Sequence, residues 1–159
     1  MKDIFDSQII IGLSARNMLT ILSGLLLLLS PFLLWTVFYN SGSEQKLDGF
    51  DLQRMANAFT LLLIPLCGLA AMVGSFVCSR FPELLGSRIR LGLGLSIALL
   101  AILSLLLTTF QADLWMSSRA GSSFLNNVSL GWYAALTGSL LLVFSLLVPK
   151  QKKLFPERE

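Results

Sequence analysis

The stretch LGLGLSIALLAILSLLLTTF, residues 91–110, contains neither a charged residue nor a proline. A helix needs about 20 predominantly apolar residues to cross the hydrocarbon core of a bilayer. This stretch therefore predicts a transmembrane helix. The composition agrees, because 55% of the 159 residues are hydrophobic and only 13% are charged, whereas soluble domains carry about 25% charged residues.

Three further stretches satisfy the same criterion, at residues 18–38, 55–79 and 128–148. The polar segment 39–54 separates the first two spans and the polar segment 111–127 separates the last two. Both segments are predicted to be outer loops. Pro31 and Pro65 lie inside the first two spans and are expected to kink them. Residues 1–159 are thus interpreted as one all-α membrane domain of four transmembrane helices in an up-down-up-down bundle.

The distribution of Lys and Arg predicts which side of the membrane each loop faces. Nine basic residues flank one side of the predicted bundle: Lys2, Arg16, Arg80, Arg88, Arg90, Lys150, Lys152, Lys153 and Arg158. The other side has three, at Lys46, Arg54 and Arg119. Because short cytoplasmic loops are rich in Lys and Arg, both termini are predicted to be cytoplasmic.

The Trp and Tyr residues support this orientation. All five lie near the outer ends of the predicted spans, at Trp35, Tyr39, Trp115, Trp132 and Tyr133. Their amphipathic rings favour the headgroup layer of a membrane.

Small residues recur at helical spacing inside the predicted spans. Residues four apart on a helix share one face, and small side chains there let two helix backbones approach closely. We predict packing contacts, within the bundle or with another subunit, at Gly92, Gly94, Gly131, Ala135, Gly138 and Ser139. Gly49 and Phe50 of the first outer loop are added, because they place an apolar pair between two acids at the edge of the bilayer.

No catalytic, cofactor-binding or metal-binding residue is predicted. The chain contains no histidine, no charge lies deep in a span, and no serine occurs in a G-x-S-x-G motif. Asp48, Asp51 and Asp113 of the outer loops leave open an enzyme that acts on lipid. The net charge of +3 reflects helix-flanking residues, so no nucleic-acid partner is expected.

The chain resembles small bacterial inner-membrane proteins of four helices and unassigned function. The resemblance rests on Ser30-Pro31-Phe32-Leu33-Leu34-Trp35, Asp48-Gly49-Phe50-Asp51-Leu52 and Gly131-Trp132-Tyr133. It implies an integral protein of the bacterial inner membrane and nothing specific about chemistry.

Two functions remain open from the sequence. The first is a non-catalytic accessory or assembly subunit, whose partners are other integral membrane subunits and lipid. The alternative is a component of a transporter or channel, formed with partners or as an oligomer. The polar groups available to line a path are Asn57, Thr60, Ser96, Ser104, Thr108 and Thr137.

Overall fold

The computed structural model describes residues 15–40, 42–80 and 87–148. Five α-helices, three short 3-10 turns and two strands follow one another in these ranges. They are α1 (Ala15–Leu29), a turn at Ser30–Phe32, β1 (Leu34–Asn40), β2 (Ser43–Asp48), α2 (Gly49–Ala56), a turn at Phe59–Leu62, α3 (Leu63–Arg80), α4 (Ser87–Ala120), a turn at Phe124–Asn126 and α5 (Leu130–Leu147). The basic terminal segments used in the orientation argument lie mostly outside the described residues.

Three of the helical stretches are long and apolar enough to cross a membrane: Phe59–Cys78, Arg88–Ala120 and Leu130–Leu147. The fourth apolar helix, Arg16–Phe32, is shorter and extends about 25 Å at 1.5 Å per residue. The structure thus confirms a mostly helical chain that is consistent with an integral membrane protein. A fourth membrane-spanning helix, and with it the predicted four-span topology, is not established.

The prediction of a helix through residues 18–38 with a kink at Pro31 is wrong. Pro31 lies in the 3-10 turn that ends α1, and the chain continues as β1. Proline cannot donate the backbone hydrogen bond that a continuing helix requires, and the following run Leu-Trp-Thr-Val-Phe-Tyr is rich in residues that favour strands. Pro31 therefore ends the helix and does not merely kink it.

Both predicted outer loops contain regular structure. β1 and β2 form an antiparallel hairpin that begins before the predicted loop 39–54 and extends into it, so the prediction of an all-α fold is also wrong here. Helix α2 follows, with the Asp48 side chain accepting a hydrogen bond from Asp51 N at its start. In residues 111–127, α4 continues to Ala120 and ends before Gly121, which has a φ of +63°. Glycine tolerates this left-handed conformation without strain.

These elements make a small folded unit, called the cap below, that comprises residues 34–40, 42–56 and 111–129. Its interior contains Trp35, Phe38, Leu52, Met116 and Phe124, all of them buried. β1 is flanked on both sides, by β2 and by the segment before α5. On that second side Val37 N donates to Asn127 O at 3.2 Å and Ser129 N donates to Trp35 O at 2.8 Å.

α1 occupies the centre of the helix bundle, between α3 and α5. Its crossing with α3 is tight, because a Cβ on Gly24 would lie 2.7 Å from Gly68 O and one on Gly68 would lie 2.8 Å from Leu28 N. On the opposite side, Ser23 Oγ donates to Gly138 O at 2.7 Å. Small residues thus allow backbone contact on two sides of the short helix, as membrane helices require.

Candidate functional site

A cavity of about 650 Å³ lies among α1, α3, α4 and α5, at the end of the bundle opposite the cap. It is lined by the first residues of α1, the second half of α3, the first residues of α4 and the last turns of α5. Binding sites for small molecules have volumes of about 300–1,000 Å³. This cavity is therefore large enough to hold a ligand.

Polar groups are concentrated at two places in an otherwise mainly apolar lining. Arg16 and Arg90 lie near the end of the bundle, and both guanidinium groups are permanently charged. Deeper along α3, Ser75 is only 9% exposed, and its Oγ has no hydrogen-bond partner among the described residues. A buried hydroxyl normally finds a partner, so Ser75 marks a position where a ligand atom could supply one.

Glycine leaves additional room in this cavity. A Cβ on Gly74 would have no heavy atom within 4 Å, so the space beside this helix position is empty. Gly94 also lines the cavity, but a Cβ there would lie 2.6 Å from the tip of the Leu146 side chain. Gly74 therefore borders open space, whereas Gly94 is in contact with α5.

The small residues predicted on the last span pack inside this chain. Gly131, Ala135, Gly138 and Ser139 are all buried. A Cβ on Gly131 would lie 2.6 Å from Trp35 Nε1, and one on Gly138 would lie 3.1 Å from Ser23 O. Their surface is thus occupied by intramolecular contacts.

The other predicted packing residues are divided between covered and open surface. Gly49 is buried and a Cβ there would lie 2.7 Å from Pro31 O, while the half-buried Phe50 contacts Phe32 edge-on at 5.2 Å between ring centroids. Gly92, by contrast, is exposed, and a Cβ on it would have no heavy atom within 4 Å. Of the eight predicted residues, Gly92 is the one that presents an open surface.

Two of the three carboxylates that left a lipid-modifying enzyme open have structural partners. Asp48 Oδ1 accepts from Asp51 N at 2.8 Å and begins α2. Asp113 Oδ1 accepts from Ser123 Oγ at 2.7 Å and from Phe124 N at 2.8 Å. Within the described ranges, no group of three or more His, Cys, Asp or Glu residues could hold a metal ion.

The hydroxyl and amide groups considered for a transport path are dispersed. Thr60 Oγ1 lies 2.9 Å from Thr108 Oγ1 and donates to Gln111 Oε1 at 3.1 Å, beneath the cap. Ser96 and Thr137 are exposed on the outside of the bundle, and Asn57 ends α2 in a left-handed conformation. The structure brings together Thr60 and Thr108, with the buried Ser104 one helical turn away on α4, but places Asn57, Ser96 and Thr137 apart.

Sequence reasoning missed the cavity and its residues Arg16 and Ser75. Arg16 was interpreted only as a topological charge, and Ser75 was not singled out. The adjacent Gly74 is one of several small residues in its span, a signal too general to identify a cavity. Comparisons with protein-family models, curated proteins and solved structures found no match.

Proposed function

We propose that this chain is a non-catalytic accessory or assembly subunit of a larger protein complex in a bacterial inner membrane. The observation that carries the proposal is the open surface around Gly92. Ser96, one helical turn further along α4, is also exposed. A pair of small residues four apart on a membrane-facing helix forms a shallow groove into which a helix of another protein can pack.

The surroundings of this pair extend the same surface. Leu99 and Leu103 follow at helical spacing and are 58% and 54% exposed, while the opposite face of α4, including Ala98 and Ala101, is buried in the bundle. Because lipid solvates leucine as well as a protein partner does, it is the missing side-chain volume at Gly92 and Ser96 that favours a helix over lipid.

The chemistry of the cap supports a structural role. Two of the three outer-loop carboxylates considered for catalysis, those of Asp48 and Asp113, accept hydrogen bonds that begin a helix or fix a turn. A carboxylate used in this way is held in place by backbone N–H groups. Each of these two carboxylates therefore has a structural use that requires no substrate.

The proposal is tested by extraction of native membranes in mild detergent, followed by native electrophoresis and mass spectrometry of the co-migrating proteins. We expect the wild-type chain to migrate with a stoichiometric partner. Gly92→Leu and Ser96→Leu should weaken that association, because each fills the groove. Thr137→Leu adds similar bulk at an exposed position of α5 and should leave it intact.

Migration of the wild-type chain alone would contradict the proposal. Migration as a homo-oligomer would instead favour the transport alternative, since the dispersed hydroxyl groups could line a path only between several copies. Solute flux into proteoliposomes that contain this protein alone would then be the decisive measurement.

A further inference from the structure

We infer that the cavity among α1, α3, α4 and α5 binds one acyl chain of an anionic membrane phospholipid, with the phosphate at Arg16 and Arg90. This inference does not depend on the proposed subunit role. It rests on the location, depth and polarity of the cavity.

The location matches the level of lipid headgroups. Arg16 lies at the start of α1 and Arg90 in the first turn of α4, at the end of the bundle that the basic residues assign to the cytoplasm. Arginine binds phosphate through several N–H groups arranged in one plane. Two arginines from different helices at a membrane surface therefore favour an anionic headgroup.

The depth matches one leaflet. Along α3 the lining extends from Ala70 to Cys78, which is about 12 Å at 1.5 Å per residue. One leaflet contributes about 15 Å to the hydrocarbon core. An acyl chain that enters beside the two arginines would thus fill the cavity without crossing the bundle, and the mainly apolar lining suits its methylene groups.

Ser75 supplies a third element of recognition. It lies five residues before the end of α3 at Arg80, about 7.5 Å below that end of the helix. The ester carbonyl groups of a glycerophospholipid lie between its phosphate and its acyl chains, so a hydroxyl part-way along the α3 lining can meet one. The Ser75 hydroxyl, which lacks a partner among the described residues, could donate to such a carbonyl oxygen.

The test uses the full chain purified in mild detergent, with bound lipid identified and quantified by native mass spectrometry. We expect about one phosphatidylglycerol or other anionic phospholipid to remain bound per chain. Gly74→Phe places a ring in the open space beside α3 and should reduce the bound lipid at least about tenfold, the equivalent of 1.4 kcal/mol. Thr137→Phe adds a ring at an exposed position of α5 that does not line the cavity and should leave the lipid bound.

The charge requirement is tested with Arg16→Gln. In nanodiscs of defined phosphatidylglycerol and phosphatidylethanolamine content, this change should reduce the preference for the anionic lipid about tenfold, the loss of one charge-assisted hydrogen bond. Arg88→Gln removes a charge from the same end of the bundle. Arg88 does not line the cavity, so this variant serves as the matched control.

Three outcomes would overturn the inference. Equal lipid retention by the Gly74→Phe and Thr137→Phe proteins would show that the lipid binds elsewhere. Recovery of free fatty acid alone would assign the cavity to a different ligand. An equal effect of Arg16→Gln and Arg88→Gln would show that the preference for anionic lipid comes from general surface charge and not from a phosphate bound at Arg16. Thermal unfolding of each variant checks that the substituted chains remain folded.

Discussion

Replacement of Asp113 by alanine should release the segment between α4 and α5. The carboxylate is half-buried and accepts two hydrogen bonds, from Ser123 Oγ at 2.7 Å and from Phe124 N at 2.8 Å. Hydrogen bonds to a charged group contribute about 1.5–3 kcal/mol each. Because solvent partly screens this site, we take the lower part of that range, so the two bonds together stabilise the segment by about 3 kcal/mol.

A graded series separates the contributions. Asp113→Asn keeps an acceptor oxygen but lacks the charge, and Ser123→Ala removes one of the two donors. Each should cost about half as much as Asp113→Ala, or about 1–2 kcal/mol. Ser117→Ala is the control, because the Ser117 hydroxyl is exposed and contacts only Leu114 O.

The assay is hydrogen–deuterium exchange of residues 121–129 in detergent micelles. A loss of about 3 kcal/mol corresponds to exchange about a hundredfold faster when opening of this segment limits it. Phe124 is fully buried and its amide is one of the two donors, so the effect should be largest there. Equal exchange in the Asp113→Ala and Ser117→Ala proteins would refute the reasoning.

Three further substitutions probe contacts inside the bundle. Gly131→Ala places a methyl group against the Trp35 ring and 2.9 Å from Ser30 O, so we expect overpacking of about 1–3 kcal/mol and a lower thermal unfolding temperature; an unchanged temperature would contradict the tight contact. Trp35→Phe removes the donor 2.7 Å from Ser30 O and leaves this oxygen with Leu33 N at 3.2 Å, so SDS titration should show a loss of about 0.5–1.5 kcal/mol for the hydrogen bond, absent if water replaces the indole. Thr108→Val breaks the 2.9 Å contact with Thr60 and should cost about 0.6–1.7 kcal/mol in the same titration, with no cost if Gln111 alone satisfies Thr60.

Hydropathy predicted the last helix well and the end of the first span poorly. α5 begins and ends within two residues of the predicted span 128–148, because a long apolar run between polar segments has few alternatives in a membrane. Residues 33–38 are equally apolar, but most of them belong to β1. The backbone groups of this strand are hydrogen-bonded to neighbouring segments within the cap, and Trp35, Thr36 and Phe38 are buried there. Average hydropathy does not distinguish these two cases, whereas Pro31 and the residues that favour strands do so in retrospect.

The polar segments contained local signals that length and polarity alone hide. Asp48 followed three residues later by Asp51 is a pattern that begins a helix, and it begins α2. Residues 111–120 contain neither glycine nor proline, so nothing ends α4 until Gly121. The cavity could not be predicted in this way, because its volume depends on how four helices diverge and not on any one of their sequences.

The two hydrogen bonds from β1 to Asn127 and Ser129 give the bundle unequal stiffness along its length. At that end β1 and the segment before α5 are joined by backbone hydrogen bonds and by the buried side chains of the cap. At the opposite end the described residues join α1 and α5 through side chains, with Thr20 Oγ1 donating to Ser145 Oγ at 3.1 Å beside the cavity. A side-chain contact can break while the backbone on either side stays folded, so we expect separation of the helices to begin at the cavity end while the cap keeps its hydrogen bonds.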